Sequence, residues 1–211
     1  MDIQNNFTKA LEFRHACKLF DTTKTIDDDA MHYILEAARL SPSSFGMEGW
    51  KFLVITNEKL KEKLQPLCWN QPQITTCSHL VVVLAAIDAL KPQSGIPLKR
   101  FQRREMPQEK LDFYVDIYAK HLQDTLSNDE NLFCWSARQT YIAATNMMMA
   151  AAYIGIDSCP IEGFEKENVE KVLDINTQEY QVALLLPFGY RVDQQPKKLR
   201  RDFEDVVEFI K

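Results

Sequence analysis

The longest apolar segment of the chain, residues 131–154, constrains the fold more than any other feature. It predicts a helix that is apolar on nearly every side and ends at Gly155, a common helix terminator. Its most apolar stretch, residues 141–156, contains Thr145 and Asn146 and is shorter than the roughly 20 residues that cross a bilayer. A chain of 211 residues has little room to bury such a helix alone. The segment therefore predicts burial against a second copy in a homodimer, without membrane insertion.

The other periodic patterns predict a single α+β domain over residues 1–211, because no repeat, linker or change of composition divides the chain. Apolar residues at helical spacing predict helices over residues 3–13, 28–40, 58–64 and 108–126. Short apolar runs predict strands over residues 50–56, 79–88 and 182–190. Residues 91–97 have the composition of a loop, and a further helix is expected to begin near Glu165.

Charge and cysteine content narrow the classes of function. The formal net charge is −5, so a nucleic acid is a poor first candidate for a partner. The five cysteines form no Cys-x-x-Cys pair, which favours reduced thiols, and the N-terminus lacks the basic start and apolar run of a signal peptide. Both observations predict a cytoplasmic protein. The four histidines are far apart in sequence, there is no His-Glu-x-x-His motif, and no metal site is expected.

Glycine is scarce, and this limits how the chain can bind a phosphate. Its six glycines form neither of the glycine-rich phosphate loops, so side-chain cations would have to bind the anion. Arg14 and Lys18 lie four residues apart near the N-terminus, and residues 197–201 contain four cations. Either segment suits a phosphate, but each is also typical of a solvated basic surface.

Two loops have features of ligand-binding segments. Ser43 and Ser44 follow Pro42 after the second predicted helix and offer hydroxyl and backbone N–H groups. In Cys-Pro-Ile-Glu-Gly-Phe, residues 159–164, the proline and glycine hold the backbone in a defined bend that could aim a peptide N–H outward. Common loop residues and a tight turn before a helix explain the two patterns equally well.

Taken together and in their order along the chain, from Arg14 through the Ser43 loop and residues 159–164 to residues 197–201, the four segments resemble the bacterial oxygen-insensitive NAD(P)H nitroreductase family, whose members are FMN flavoproteins. The resemblance extends from about residue 13 to residue 207. It implies a central, mostly antiparallel sheet flanked by helices in an intertwined homodimer, with one FMN in each of two interfacial clefts. It also implies ping-pong transfer of two electrons from NADH or NADPH to a small-molecule acceptor such as a nitroaromatic compound or a quinone.

The resemblance further implies roles for individual residues. Arg14, Lys198 and Arg200 correspond to the positions that hold the FMN phosphate. Two catalytic roles are implied: Lys18 lies beside the flavin ring, and the backbone N–H of Glu162 points at flavin N5. The other implied cofactor-binding residues are His15, Ala16, Pro42, Ser43, Ser44, Gly46, Asn70, Gln73, Pro160, Ile161 and Gly163. The loop that begins at Pro42 is expected to come from the second subunit.

Four positions depart from the family pattern and leave alternatives open. Ala16 stands where serine is common, Gly46 where asparagine is usual, Glu48 with Gly49 replaces Gln-Pro, and Gln73 replaces a second lysine. One alternative is a reductase of the same fold that acts on a quinone, an enone, a pteridine or free flavin. Another is a flavin-binding dimer without turnover. An adaptor that binds nucleic acid or a membrane surface through the basic tail is the least favoured by the net charge.

Overall fold

A computed structural model describes residues 3–211 and places a four-stranded antiparallel sheet at the centre of the chain. The strands are β1 (Trp50–Ile55), β2 (His79–Ala86), β3 (Asp157–Ser158) and β4 (Tyr180–Gly189). Their order across the sheet is β1-β2-β4-β3, and every neighbouring pair is antiparallel. The predicted α+β fold with an antiparallel sheet is confirmed.

The sheet is buried on both faces, as the continuous apolar pattern of β2 predicts. Every residue of β2 is buried, because β2 lies between β1 and β4 and side chains alternate between the two faces. The helices are α1 (Ile3–Phe13), α2 (Asp28–Arg39), α3 (Glu58–Leu64), α4 (Gln73–Thr76), α5 (Ile96–Gln102), α6 (Gln108–Thr125), α7 (Asp129–Tyr153) and α8 (Lys166–Val172). Leu80 and Val82 pack into one apolar cluster with α3 and α4, whereas Val81 and Val83 pack into another with α2 and α7.

Side-chain caps fix the starts of two of the longer helices. The Asp27 carboxylate accepts a hydrogen bond from the Ala30 backbone at 2.7 Å, at the start of α2. Asn128 caps α7 in the same way, at 2.8 Å from the Asn131 nitrogen. The one clear error concerns residues 91–97, which are not simply a loop. They contain a 3₁₀ turn and lead into α5, which begins at Ile96 between a left-handed Gly95 and a proline in the first turn.

The long helix α7 buries more of itself within one chain than the sequence led us to expect. Ten of its residues are buried, and it packs on α2, β2 and β4. Its outer face leaves Tyr141, Ile142 and Tyr153 exposed. The C-terminal tail after residue 198 is exposed throughout and includes Phe209 and Ile210. Among residues 3–211, no helix combines the length and hydropathy needed to span a bilayer.

Candidate functional site

The bend at residues 159–163 lies along the edge of the sheet and directs one amide outward. Cys159 donates its backbone N–H to the Pro187 carbonyl at 3.1 Å, and Ile161 donates to the Leu185 carbonyl at 2.9 Å. Successive N–H groups of an extended segment point in opposite directions, so positions 160 and 162 face away from β4. Proline has no N–H. The backbone amide of Glu162 is therefore the donor that this part of the sheet edge presents outward.

Lys18 lies beside this edge because the segment after α1 pairs with β3. Ala16 forms a parallel bridge with Ser158, and the backbone amide of Cys17 donates to the Ser158 carbonyl at 3.1 Å. The ammonium of Lys18 then lies 3.6 Å from the sulfur of Cys159. Burial raises the pKa of that thiol, and Lys18 offsets part of the rise. The thiol stays neutral at pH 7, so the positive charge of Lys18 has no anionic partner there.

Amide side chains and a tryptophan support the same edge from the other side. Gln71 donates to the Gly163 carbonyl at 2.9 Å, and Gln73 donates to the Gln71 side-chain oxygen at 3.0 Å. The ring of Trp69 lies directly on Gly163, where a Cβ atom would be 2.6 Å from two ring carbons. Asn70 is exposed and has a left-handed backbone, with φ of 54°. Gln71 and Trp69 were missed at the sequence level, although the run of amides around Asn70 was a usable signal.

The two termini of the domain meet at the end of α1. The Lys198 ammonium donates to the Leu11 carbonyl at 2.8 Å and also to the Arg14 carbonyl. Partial burial and the positive charges of Arg14 and Arg200 lower the pKa of Lys198, whereas Glu12 raises it. Three cations from opposite ends of the sequence therefore form one cluster, and their mutual repulsion would be relieved by a bound anion.

A buried ion pair connects this cluster to the sheet edge. Arg191 contacts both carboxylate oxygens of Asp157, at 2.9 and 2.6 Å, and Asp157 in turn lies 3.5 Å from His15. Burial and Arg191 lower the pKa of His15. A cavity of about 250 Å³ opens here, lined by His15, Ala16, Lys18 and residues that follow β4. Neither Asp157 nor Arg191 was predicted, because only the pairing of β3 with β4 brings them together.

Within one chain, the loop that follows α2 forms hydrogen bonds of its own and is not bonded to the sheet edge described above. The backbone amide of Ser44 donates to the Gln139 side chain at 2.9 Å, and the Ser43 hydroxyl accepts from the Glu48 amide at 2.8 Å. No hydrogen bond or ion pair within residues 3–211 joins this loop, including Pro42 and Gly46, to the sheet edge at residues 159–163. A contribution of the loop to the site of a second subunit stays a prediction.

Comparison with known proteins identifies the family. The sequence model of the nitroreductase family matches residues 11–190, most of the chain. The chain belongs to the nitroreductase family. Among its relatives is YfkO of Bacillus subtilis strain 168, a candidate NAD(P)H nitroreductase that is 38% identical over 99% of both chains.

Solved structures of related proteins have the same fold. A nitroreductase-like protein of Streptococcus mutans superposes with a TM-score of 0.87 over 99% of this chain and all of its own, at 20% identity. A candidate nitroreductase of Exiguobacterium sibiricum, solved in complex with FMN, has a TM-score of 0.81 and 27% identity over 96% of each chain. At 20% identity, the similarity to the Streptococcus protein shows the fold alone.

Two positions that depart from the nitroreductase pattern, Glu48 and Gly46, contact arginines that follow α5. The carboxylate of Glu48 pairs with Arg103 at 2.8 Å, so its charge is compensated within the chain. Arg104 donates to the Phe45 carbonyl at 2.5 Å and occupies the space at Gly46, where a Cβ atom would lie 2.7 Å from its guanidinium. A side chain at position 46 would require the exposed Arg104 to move, and the backbone φ of 64° favours glycine there. The loop and the arginines after α5 therefore form one local unit.

Proposed function

We propose that this nitroreductase-family chain is an FMN-dependent oxidoreductase that transfers two electrons from NADH or NADPH to a small-molecule acceptor, a nitroaromatic compound or a quinone. The observation that carries the proposal is the convergence of Arg14, Lys198 and Arg200 from opposite termini. Family membership, the NAD(P)H nitroreductase name of YfkO and the FMN bound to the Exiguobacterium protein support it.

The residues present fit FMN. Its phosphate is a dianion. Partial burial and then the positive charges of Arg14 and Arg200 lower the pKa of Lys198, and a bound phosphate would offset that repulsion. The outward amide of Glu162 can donate to a ring nitrogen. Gln73 is 1% exposed and its amide nitrogen donates to Gln71 and contacts Cys159, so it would support this edge from behind, whereas the exposed Asn70 would bind polar ring atoms. No glycine-rich loop is needed, because side-chain cations hold the phosphate.

Bound FMN would supply the chemistry, accepting a hydride from the nicotinamide and passing two electrons to the acceptor. The chain supplies position and charge. Lys18 would supply a positive charge beside the ring that stabilises the negative charge gained on reduction, without reorganisation during the reaction. The Glu162 amide would donate to the ring and hold it against the sheet edge. Because one open cleft serves both substrates, donor and acceptor would occupy it in turn, which is a ping-pong order.

The active form would be a homodimer of single-domain subunits in the cytoplasm, with neither nucleic acid nor membrane as partner. The loop from Pro42 to Gly46 carries the polar groups that the family resemblance assigns to the cleft, yet it lies apart from Lys18 in one chain. A second copy would supply it. The exposed apolar residues of the C-terminal tail, with Phe209 75% and Ile210 94% exposed, offer surface for that contact.

The absorption spectrum of the purified chain, followed by anaerobic addition of NADPH or NADH, tests the proposal. We expect a yellow protein that loses its flavin colour on addition of the nucleotide and regains it with an oxidised quinone or nitro compound. A colourless protein that takes up no FMN would contradict the cofactor assignment. A yellow protein that keeps its colour under both nucleotides would instead identify a flavin-binding dimer without turnover.

A further inference from the structure

One hydrogen bond joins α7 to the residue whose backbone amide faces outward at the sheet edge. The Tyr141 hydroxyl donates to the Oε1 atom of Glu162 at 2.5 Å. A hydroxyl bonded to a carboxylate at this distance forms a charge-assisted bond, which is roughly twice as strong as a neutral one. Within residues 3–211 the Glu162 carboxylate has no other hydrogen-bond partner and no ion pair. Of the described side chains, Tyr141 alone holds it.

The proton of this bond belongs to the tyrosine. Partial burial raises the pKa of Tyr141, and the bonded carboxylate of Glu162 raises it further. The hydroxyl therefore stays protonated at neutral pH and donates to the carboxylate. Its O–H dipole points at the negative charge and compensates part of it.

The hydroxyl is held by a rigid element, whereas the glutamate side chain is not. The buried face of α7 packs on β2 and β4. The main chain beside Glu162 is fixed independently, because Ile161 and Leu185 exchange two backbone hydrogen bonds at 2.9 and 3.1 Å. The Glu162 side chain is exposed and has several rotatable bonds. Without the Tyr141 hydroxyl, its carboxylate would be free to turn towards the outward amide.

The position of this carboxylate matters because of the amide beside it. In the proposed function the Glu162 amide donates to a ring nitrogen of FMN, so the carboxylate of the same residue lies near the ring as well. The ring gains negative charge on reduction, and an uncompensated carboxylate beside it would oppose that gain. Lys18 and the Glu162 carboxylate thus act on the ring in opposite directions.

We propose that Tyr141 is a positioning residue that acts on the flavin through Glu162. Its hydroxyl holds the carboxylate against α7 and compensates part of the negative charge, which favours reduction of the bound flavin. This inference rests on the proposed function, because it requires FMN beside the Glu162 amide. Tyr141 itself need not touch the ring.

The midpoint potential of bound FMN, measured by spectroelectrochemical titration, tests the proposal. Tyr141→Phe should lower the potential by about 14 mV, which corresponds to a threefold change in the ratio of reduced to oxidised flavin. The double variant Tyr141→Phe/Glu162→Gln keeps the backbone amide but removes the charge, so its potential should return to that of the unaltered chain or rise above it. The matched control is Tyr153→Phe. It removes an exposed hydroxyl from the same helix, one without a hydrogen-bond partner among residues 3–211, and should leave the potential unchanged.

The double variant separates the effect of charge from the effect of shape. If Tyr141 only supported the turn at residues 159–163, the double variant would keep the low potential of Tyr141→Phe. That result, or an unchanged potential in Tyr141→Phe, would overturn the proposal while FMN binding stands. A chain that takes up no FMN would instead contradict the proposed function, and the role of Tyr141 towards the flavin would fall with it.

Urea unfolding without added flavin tests the hydrogen bond itself. A double-mutant cycle compares the unaltered chain with Tyr141→Phe, Glu162→Ala and the combination of the two. We expect the combined variant to lose less stability than the sum of the two single losses, because either substitution alone removes the bond. Additive losses would show that the hydroxyl and the carboxylate do not interact, and would refute the proposal whether or not FMN binds.

Discussion

At the scale of single residues, Lys198 reports most directly on the phosphate end of the proposed site. Its ammonium donates to the backbone of α1, and partial burial together with the positive charges of Arg14 and Arg200 lowers its pKa. A folded chain keeps like charges this close when another interaction compensates them. A bound phosphate would compensate these charges without a change in the fold.

We expect Arg14→Ala to weaken FMN binding by about tenfold or more, because a charge-assisted hydrogen bond contributes about 1.5–3 kcal/mol. The dissociation constant of FMN, measured by quenching of its fluorescence, checks this. Arg201→Ala is the control, since it removes the same charge from an exposed residue next to Arg200. Equal flavin affinity in the two variants would show that the phosphate assignment is wrong.

Lys18 is expected to act on the flavin potential more than on flavin binding. Lys18→Ala should lower the midpoint potential of bound FMN by about 30 mV or more, equivalent to about 1.4 kcal/mol for two electrons. A fixed cation near the ring favours added negative charge there. Spectroelectrochemical titration measures the potential, with Lys24→Ala as the control because Lys24 pairs with Asp21 at 3.1 Å. A potential unchanged in Lys18→Ala would exclude the electrostatic role.

His79 should make the stability of the fold depend on pH. It is 6% exposed, and burial and Lys61 lower its pKa below the usual value near 6.5, whereas Asp28 raises it. Below about pH 6.5 the unfolded chain binds a proton that the folded chain binds less well, so stability falls as the pH falls. His79→Gln should lose this part of the pH dependence. Urea unfolding at pH 8 and pH 5 measures it, and an equal change in both proteins would contradict the prediction.

At the scale of elements, the edge formed by β3, β4 and residues 159–163 positions the site, and two glycines allow the approach of aromatic rings. A Cβ at Gly189 would lie 2.8 Å from the ring of Phe20, which is 2% exposed and cannot move aside. A Cβ at Gly163 would lie 2.6 Å from the ring of Trp69, which is 69% exposed and can rotate into solvent.

Gly189→Ala should therefore destabilise the fold by about 1–3 kcal/mol, the usual cost of an overpacked interior. Gly163→Ala should lower the free energy of unfolding by less than this. It should instead weaken FMN binding, because the displaced Trp69 ring lies at the sheet edge where the flavin is proposed to bind. Chemical denaturation and flavin titration of both variants check the contrast. Equal destabilisation by the two substitutions would mean that Trp69 is held more firmly than its exposure indicates.

Elements also show where sequence reasoning succeeds. The apolar run of β2 is a local signal, and each predicted element appears within a few residues. The N-caps that the structure shows at Asp27 and Asn128 are local signals of the same kind. The start of α5 was missed although Gly95 and Pro97 are usable local signals. The roles of Gln71 and Trp69 could not be predicted in the same way, because they depend on contact with Gly163.

At the scale of the whole molecule, the exposed apolar surface predicts self-association. The tail after residue 198 leaves Phe203, Phe209 and Ile210 in solvent, and α1 exposes Ile3 and Phe7. Surface of this kind is typical of an interface between subunits. The single domain over residues 1–211 and the homodimer both stay predictions.

Light scattering should give a mass near twice 24.5 kDa at micromolar concentration. Replacing Phe203, Phe209 and Ile210 by serine should raise the dimer dissociation constant by about tenfold or more, since each buried aromatic or branched side chain contributes about 1.5–3 kcal/mol. The control replaces Glu204 and Glu208, which lie in the same tail, by glutamine. A monomeric mass for the unaltered chain would contradict the dimer and the shared cleft.

The sequence by itself determined most of the secondary structure, the absence of a glycine-rich phosphate loop and the candidate cations, because these follow from local patterns of side chains. The tertiary structure alone decided which groups face each other. The pairing of β3 with β4 brings Asp157 to Arg191, and the packing of α5 brings Arg103 to Glu48. Such contacts join positions far apart in the chain, and no local pattern encodes their distance.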